Sequence, residues 1–135
     1  MKNYKTILVE KKPPMGKITY NQPEQRNAMT IEMIDEATDA FLRFDKDDEV
    51  RVIVLTHKGP VFSAGMPQSY VLGKDYDTIL DMSRRFHNYH QLIERDISKP
   101  VIAVTDGFGP ADEADIIIAS DRATYAMPAI NIGLF

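Results

Sequence analysis

The sequence contains no cysteine. That excludes a disulfide framework, a thiolate nucleophile and cysteine metal ligands, and it suits a reducing compartment, read here as the cytoplasm. It also lacks the run of roughly 20 apolar residues that a membrane-spanning helix needs. Residues 1–12 have no apolar core of the kind a secretory signal carries. Basic residues are outnumbered, 16 Lys and Arg against 20 Asp and Glu, for a net charge of −4. Nucleic acid needs a basic stripe, so neither nucleic acid nor membrane is an expected partner. A phosphorylated small molecule needs only a local cluster of donors and stays open. No internal repeat or low-complexity segment is present.

What remains is a 135-residue chain, 44% hydrophobic and 27% charged, enough for one domain with a buried core. Its organising stretch is Val50 to Met66. Val52, Ile53, Val54 and Leu55 form an unbroken apolar run, which predicts a parallel strand covered on both faces. Gly59-Pro60 turns the chain, and Phe62-Ser63-Ala64-Gly65 then supplies small residues where backbone can approach a ligand.

Around it, Thr6 to Glu10 and Lys17 to Tyr20 read as a hairpin turned by Pro13, Pro14 and Gly16. Thr30 is placed to cap a helix running to about Phe44, with Met33, Ala37, Ala40 and Phe44 at helical spacing. A second helix is predicted from Tyr76 to Glu94, its stripe being Ile79, Met82, Phe86, Tyr89 and Ile93. Strands follow at Val101 to Thr105 and Ile116 to Ala119, and Tyr125 to Ile132 reads as extended with Pro128 at an edge. Strands alternating with helices predict an α/β fold with a largely parallel sheet.

The candidate chemistry is sparse. His87 and His90 lie three apart on the second helix, but Arg84 and Arg85 stand one turn earlier, so a solvated face is the better reading than a metal site. His57 follows the central strand and reads as polar surface or, less readily, as a catalytic group. Asp112, Glu113 and Asp115 lack the spacing of a calcium loop. Either Asp112 or Glu113 could serve as a general base, and a solvated acidic helix start is the plainer reading. Small-residue turns follow two buried strands, at Ser63 to Met66 and at Gly107 to Gly109. If those strands are neighbours, their N–H groups can face one carbonyl oxygen, as in an oxyanion hole.

Taken together, Ile18 to Met29, Val50 to Thr56, Phe62 to Gly65, Lys99 to Ala103, Asp106 to Phe108 and Asp115 to Gly133 resemble the crotonase (enoyl-CoA hydratase/isomerase) superfamily in order and spacing. The resemblance covers almost the whole chain. It implies a crotonase-type ββα superhelix, truncated relative to the family, with residues 1–135 as an acyl-CoA-binding core. It implies an acyl-CoA thioester as substrate, coenzyme A as its carrier, and an enolate stabilised by two backbone donors. Carried over by position, the first donor is Met66. The coenzyme A contacts are Gln25, Arg26 and Ala28 in one loop, and Ala64, Met66, Gln68 and Ser69 in the other, with Arg26 facing phosphate. The family's aspartate beyond this motif is absent, Pro67 and Gln68 standing in that region.

The sequence also departs from the family. After Gly107-Phe108 the family continues with a glycine triplet whose middle member is the second donor. Here Gly109-Pro110-Ala111-Asp112-Glu113 follows, several residues short. Pro110 has no N–H, which leaves Gly109 as second donor and Asp112 or Glu113 as substitute acid or base. The hydratase's second glutamate, after the proline of its Gly-x-Pro-Glu motif, is replaced by Ala129 behind Pro128. A two-glutamate hydratase is disfavoured; isomerase, hydrolase or lyase chemistry stays open. The rival reading is a catalytically inactive binding or assembly module. The family continues past the equivalent of Phe135 into helices that cover the site and build a homotrimer or dimer of trimers, so this half is expected to expose apolar surface.

Overall fold

The computed structural model describes residues 3–109, 113–127 and 131. The chain begins with an antiparallel pair, β1 (Ile7–Lys12) and β2 (Met15–Tyr20), turned tightly at Pro13-Pro14. Both strands are longer than the sequence indicated, and Gly16 lies inside β2 rather than in the turn. Its missing side chain has a packing reason: a Cβ there would stand 2.7 Å from the Phe44 ring.

Helix α1 (Ile31–Asp45) starts where Thr30 caps it, the hydroxyl accepting from the Met33 N–H at 3.2 Å. It buries Met33, Ile34, Ala37, Ala40, Phe41 and Phe44, the face that helical spacing predicted. β3 (Val52–His57) follows, parallel to β2. Helix α2 (Tyr76–Gln91) then widens into a π turn over Leu92–Asp96 before β4 (Val101–Thr105). The chain thus leaves regular α-helix earlier than Glu94. β5 (Ile116–Ala119) closes a five-stranded sheet in the order β1-β2-β3-β4-β5, parallel from β2 onward. Of the extended stretch expected at Tyr125 to Ile132, Pro128 and its neighbours lie outside the described residues.

The core lies on one face of the sheet. Ile18, Ile53, Leu55, Val101 and Ala103 meet α1, with Tyr89, Leu92 and Ile93 alongside. The expectation that β3 is covered on both faces is corrected: Ile53 and Leu55 are fully buried, while Val52 and Val54 are only half-buried. The opposite face carries an open apolar row. Val54, Ile102 and Ile116 align across it, as do Val104 and Ile118, and Ile116 and Ile118 are 52% and 54% exposed. β5 is an edge strand, so both its backbone and these side chains invite association.

Two polar ties hold the loops at the carboxyl ends of β2, β3 and β4. Asn27 is fully buried, with φ of 49°, a left-handed conformation that asparagine tolerates better than most residues. Its amide nitrogen donates to the Lys58 and Val61 carbonyls at 2.9 and 2.7 Å, and its oxygen accepts from the Gln22 N–H at 2.8 Å. His57 forms the other tie: its Nε2 accepts from the Asp106 N–H at 3.0 Å, joining the end of β3 to the end of β4. Partial burial pushes this imidazole's pKa below its ordinary value, so it is a neutral structural acceptor rather than free surface.

Three outcomes follow from this packing. Asn27→Ala leaves three part-buried backbone groups short of a partner; at about 1 kcal/mol each, the low end for a group that water can partly reach, urea unfolding should register a loss of about 3 kcal/mol. For His57, the unfolded chain binds the extra proton between the unfolded value near 6.5 and the lower folded value. Stability is therefore complete above about pH 6.5 and falls as pH drops through the folded pKa; urea midpoints from pH 7.5 to 5 should show this slope, and His57→Gln should flatten it. Finally, Ile116→Lys with Ile118→Lys should raise the monomer fraction in sedimentation velocity; an unchanged distribution would show that the open row does not drive association.

Candidate functional site

The functional loops sit where three parallel strands end. After β2, Pro23–Gln25 makes a single 3-10 turn, and Arg26 and Asn27 both take left-handed angles, φ 52° and 49°. This reversal lays Arg26 to Met29 along the turn after β3. The Ala64 N–H donates to the Arg26 carbonyl and the Met29 N–H to the Gly65 carbonyl, each at 2.9 Å. The Ser63 hydroxyl donates to the Asn27 carbonyl and accepts from the Gly65 N–H, both at 3.0 Å. Gly65 has φ of +74° with open space around it, so its conformation and not crowding requires glycine there.

The two segments named as coenzyme A contacts are thereby side by side. Gln25 and Arg26 are exposed, Ala28 is half-buried, and Ala64 is exposed across from them. Gln68 and Ser69 open a short 3-10 turn, Gln68–Tyr70, beyond Met66; both are exposed. The Met66 N–H has no hydrogen-bond partner among the described residues.

β3 and β4 are parallel neighbours, so their turns do open at the same sheet edge. They touch: Phe62 N–H donates to the Phe108 carbonyl at 2.7 Å and Phe108 N–H to the Pro60 carbonyl at 3.1 Å. Close approach explains both glycines. A Cβ on Gly107 would stand 2.1 Å from the Pro60 carbonyl oxygen, and one on Gly109 2.6 Å from that of Ser63. The Gly109 N–H, however, donates to the Thr124 carbonyl at 3.1 Å. In this conformation that donor is engaged within the protein, unlike Met66.

Glu113 is not part of a solvated helix start. It is 7% exposed and precedes β5 in a turn. With Tyr20, Met29, Ser63, Gly65, Phe86, Tyr89 and His90 it lines a cavity of about 30 Å³. The Tyr20 and Tyr89 hydroxyls lie 2.5 Å apart, and His90 Nδ1 is 3.9 Å from a Glu113 carboxyl oxygen. Burial, with the Glu113 charge adding to it, pushes both tyrosine hydroxyls far above their ordinary pKa. Sequence reasoning placed Tyr89 in a helix stripe and His90 on a solvated face; nothing in the spacing ties them to Tyr20 or to Glu113. No group of three metal-ligating side chains occurs among the described residues. Asp112, Pro110 and Ala129 lie outside those residues.

Comparisons with known proteins fit this arrangement. The family model described as Enoyl-CoA hydratase/isomerase matches residues 10–135. The chain is 31% identical over 137 residues to the Danio rerio enoyl-CoA hydratase domain-containing protein 3, mitochondrial, covering 95% of this chain and 46% of that protein. It is 31% identical to an Arthrobacter 4-chlorobenzoyl coenzyme A dehalogenase-2, covering 95% and 50%. Among solved structures, an enoyl-CoA hydratase/isomerase from Marinobacter aquaeolei aligns with a TM-score of 0.83 at 31% identity, over 95% of this chain and 53% of that one. Pseudomonas aeruginosa DspI aligns with a TM-score of 0.89 at 26% identity, over 98% and 57%. The chain spans about half the length of the relatives it matches. Its mixed sheet with two helices is the corresponding half of their fold. On its sequence and its fold, the chain belongs to the enoyl-CoA hydratase/isomerase family.

Proposed function

We propose that this chain binds an acyl-CoA thioester and stabilises its enolate, with the Met66 N–H as the donor to the thioester oxygen. The observation that carries this reading is the Met66 N–H, which has no partner among the described residues and stands at the end of a turn that is hydrogen-bonded to the Arg26 to Met29 loop. The coenzyme A carrier then lies along Gln25, Arg26, Ala28, Ala64, Gln68 and Ser69. Arg26 offers an exposed guanidinium suited to phosphate. A pre-positioned backbone donor acts where negative charge develops, which is the step that sets the barrier to enolate formation. Which reaction follows the enolate, whether hydration, isomerisation, hydrolysis or elimination, is decided by groups beyond this donor. Assembly as a homotrimer or dimer of trimers belongs to the same proposal. So does a reducing compartment: the cytoplasm is the expectation from the sequence, and several relatives are named as mitochondrial.

A second reading, a non-catalytic binding or assembly module of the same family, has its own observation. The Gly109 N–H is given to Thr124, so a two-donor oxyanion hole requires that bond to open.

Isothermal titration with butyryl-CoA should show binding, and Arg26→Gln should weaken it by roughly ten-fold, the size of one solvent-exposed charge-assisted hydrogen bond. No heat at millimolar thioester would end the acyl-CoA reading.

A further inference from the structure

The peptide unit that carries the Met66 N–H is pinned on both sides of Gly65. Its carbonyl is that of Gly65, which accepts from the Met29 N–H at 2.9 Å. The unit is trans, and a trans peptide points its N–H and C=O in opposite directions. The Met29 bond therefore aims the Met66 N–H away from the Arg26 to Met29 loop. Polarised at its carbonyl end, the same unit is a stronger donor at its nitrogen. The preceding peptide is held by a side chain. The Gly65 N–H donates to the Ser63 hydroxyl at 3.0 Å, and that hydroxyl donates to the Asn27 carbonyl at 3.0 Å. Ser63 is 6% exposed, so water does not readily take the place of its hydroxyl. Between the two pinned peptides stands Gly65, at φ +74°, where a Cβ would meet nothing within 4 Å. Glycine has wide backbone freedom. Without these bonds the Gly65–Met66 unit is free to turn its carbonyl outward in place of its N–H.

We propose that Ser63 is a positioning residue for the backbone donor: its hydroxyl, together with the Met29 N–H, locks the Gly65–Met66 peptide in the orientation that presents the Met66 N–H to the thioester oxygen. Turned over, the same peptide would set the Gly65 carbonyl against that oxygen, acceptor facing acceptor, and the polarisation would be lost. Ser63 acts through Gly65, so its effect falls on how strongly the thioester carbonyl is polarised. The hold on the coenzyme A carrier is separate. The bond from the Ala64 N–H to the Arg26 carbonyl does not involve the hydroxyl, and it keeps the two carrier loops together. This inference rests on the acyl-CoA reading above.

The test uses the 135-residue chain with 4-dimethylaminocinnamoyl-CoA. The amino group of this probe pushes electrons toward the thioester carbonyl, and its absorption moves to the red as that oxygen accepts a stronger hydrogen bond. Affinity is read by titration calorimetry, and polarisation by the red shift of the bound probe at saturation. The chain should bind the probe and shift it. Ser63→Ala should bind about as tightly yet lose about half of the red shift, since one of the two pinning bonds is gone. Ser63→Thr keeps the hydroxyl, and the cavity of about 30 Å³ that Ser63 lines has room for the added methyl, so the shift should be retained. A role in stability alone would not move the shift of a folded, saturated sample. If Ser63→Ala fails to fold, amide hydrogen exchange of the unaltered chain decides. The Gly65 amide should be protected, while the Met66 amide should exchange fast until the thioester binds. A full red shift in folded Ser63→Ala, or a Gly65 amide that exchanges as fast as that of Met66, overturns this inference and leaves the acyl-CoA reading standing. Binding with no red shift in the unaltered chain overturns it together with the donor role of Met66. Absence of binding removes the acyl-CoA reading itself.

Discussion

The fully buried amide of Asn27 is the tie on which the arrangement of the loops depends. Its nitrogen holds the turn after β3 at two carbonyls, and its oxygen holds the start of its own loop. Its backbone carbonyl receives Ser63, whose hydroxyl in turn receives the Gly65 N–H. One side chain thus sets the mutual position of two segments far apart in sequence. With the Asn27 side chain fully buried and its partners part-buried, a bond lost inside the fold is only partly replaced by solvent. The Met66 donor inherits its place from this network, being the next residue along the chain. Pre-organisation of that kind is what makes a backbone donor useful to an enolate, since nothing need reorient as charge develops.

The turn after β4 is built differently. Gly107 and Gly109 let it pack directly on the backbone of Pro60 and Ser63, and the Gly109 N–H is drawn into a bridge with Thr124. Beyond it, Glu113 is buried in a turn just before β5, where it lines the same cavity as Tyr20 and Tyr89.

Much of this was legible in the sequence, and the reasons for success and failure are specific. Helix α1 was readable because cap and apolar spacing agree, so local preference and tertiary packing point the same way. The parallel course of β3 and β4 followed from apolar runs joined by a helix, whereas their adjacency was left open by the sequence and comes from their pairing in the sheet. Gly16 was misplaced because glycine next to a Pro-Pro pair signals a turn locally, whereas its use is to admit Phe44, a contact set by tertiary packing. β3 was read as covered on both faces because its run is unbroken; the open face arises where Val54, Ile102 and Ile116 line up without a helix over them. The loop residues Arg26, Ala64 and Met66 came from family resemblance, and the backbone bonds between their segments give that grouping a physical basis. The pairing of Tyr20 with Tyr89 could not be read, because two tyrosines 69 positions apart leave no periodic trace.

The distribution of burial separates support from chemistry. Asn27 and His57 are polar groups whose hydrogen bonds run to backbone, so their neighbours are fixed and their work is to hold loops. Tyr20, Tyr89, His90 and Glu113 differ, since they face one another across a cavity instead of a ladder. An interior stabilised only by packing would be better served by apolar side chains in those places, because buried ionisable groups carry a desolvation cost that their mutual contacts repay incompletely. The interior nonetheless keeps hydroxyl, carboxyl and imidazole groups together here, with one end reaching solvent at His90. Glu113 therefore belongs to the interior behind the Met66 turn and not to the solvated acidic helix start that its sequence neighbours suggest.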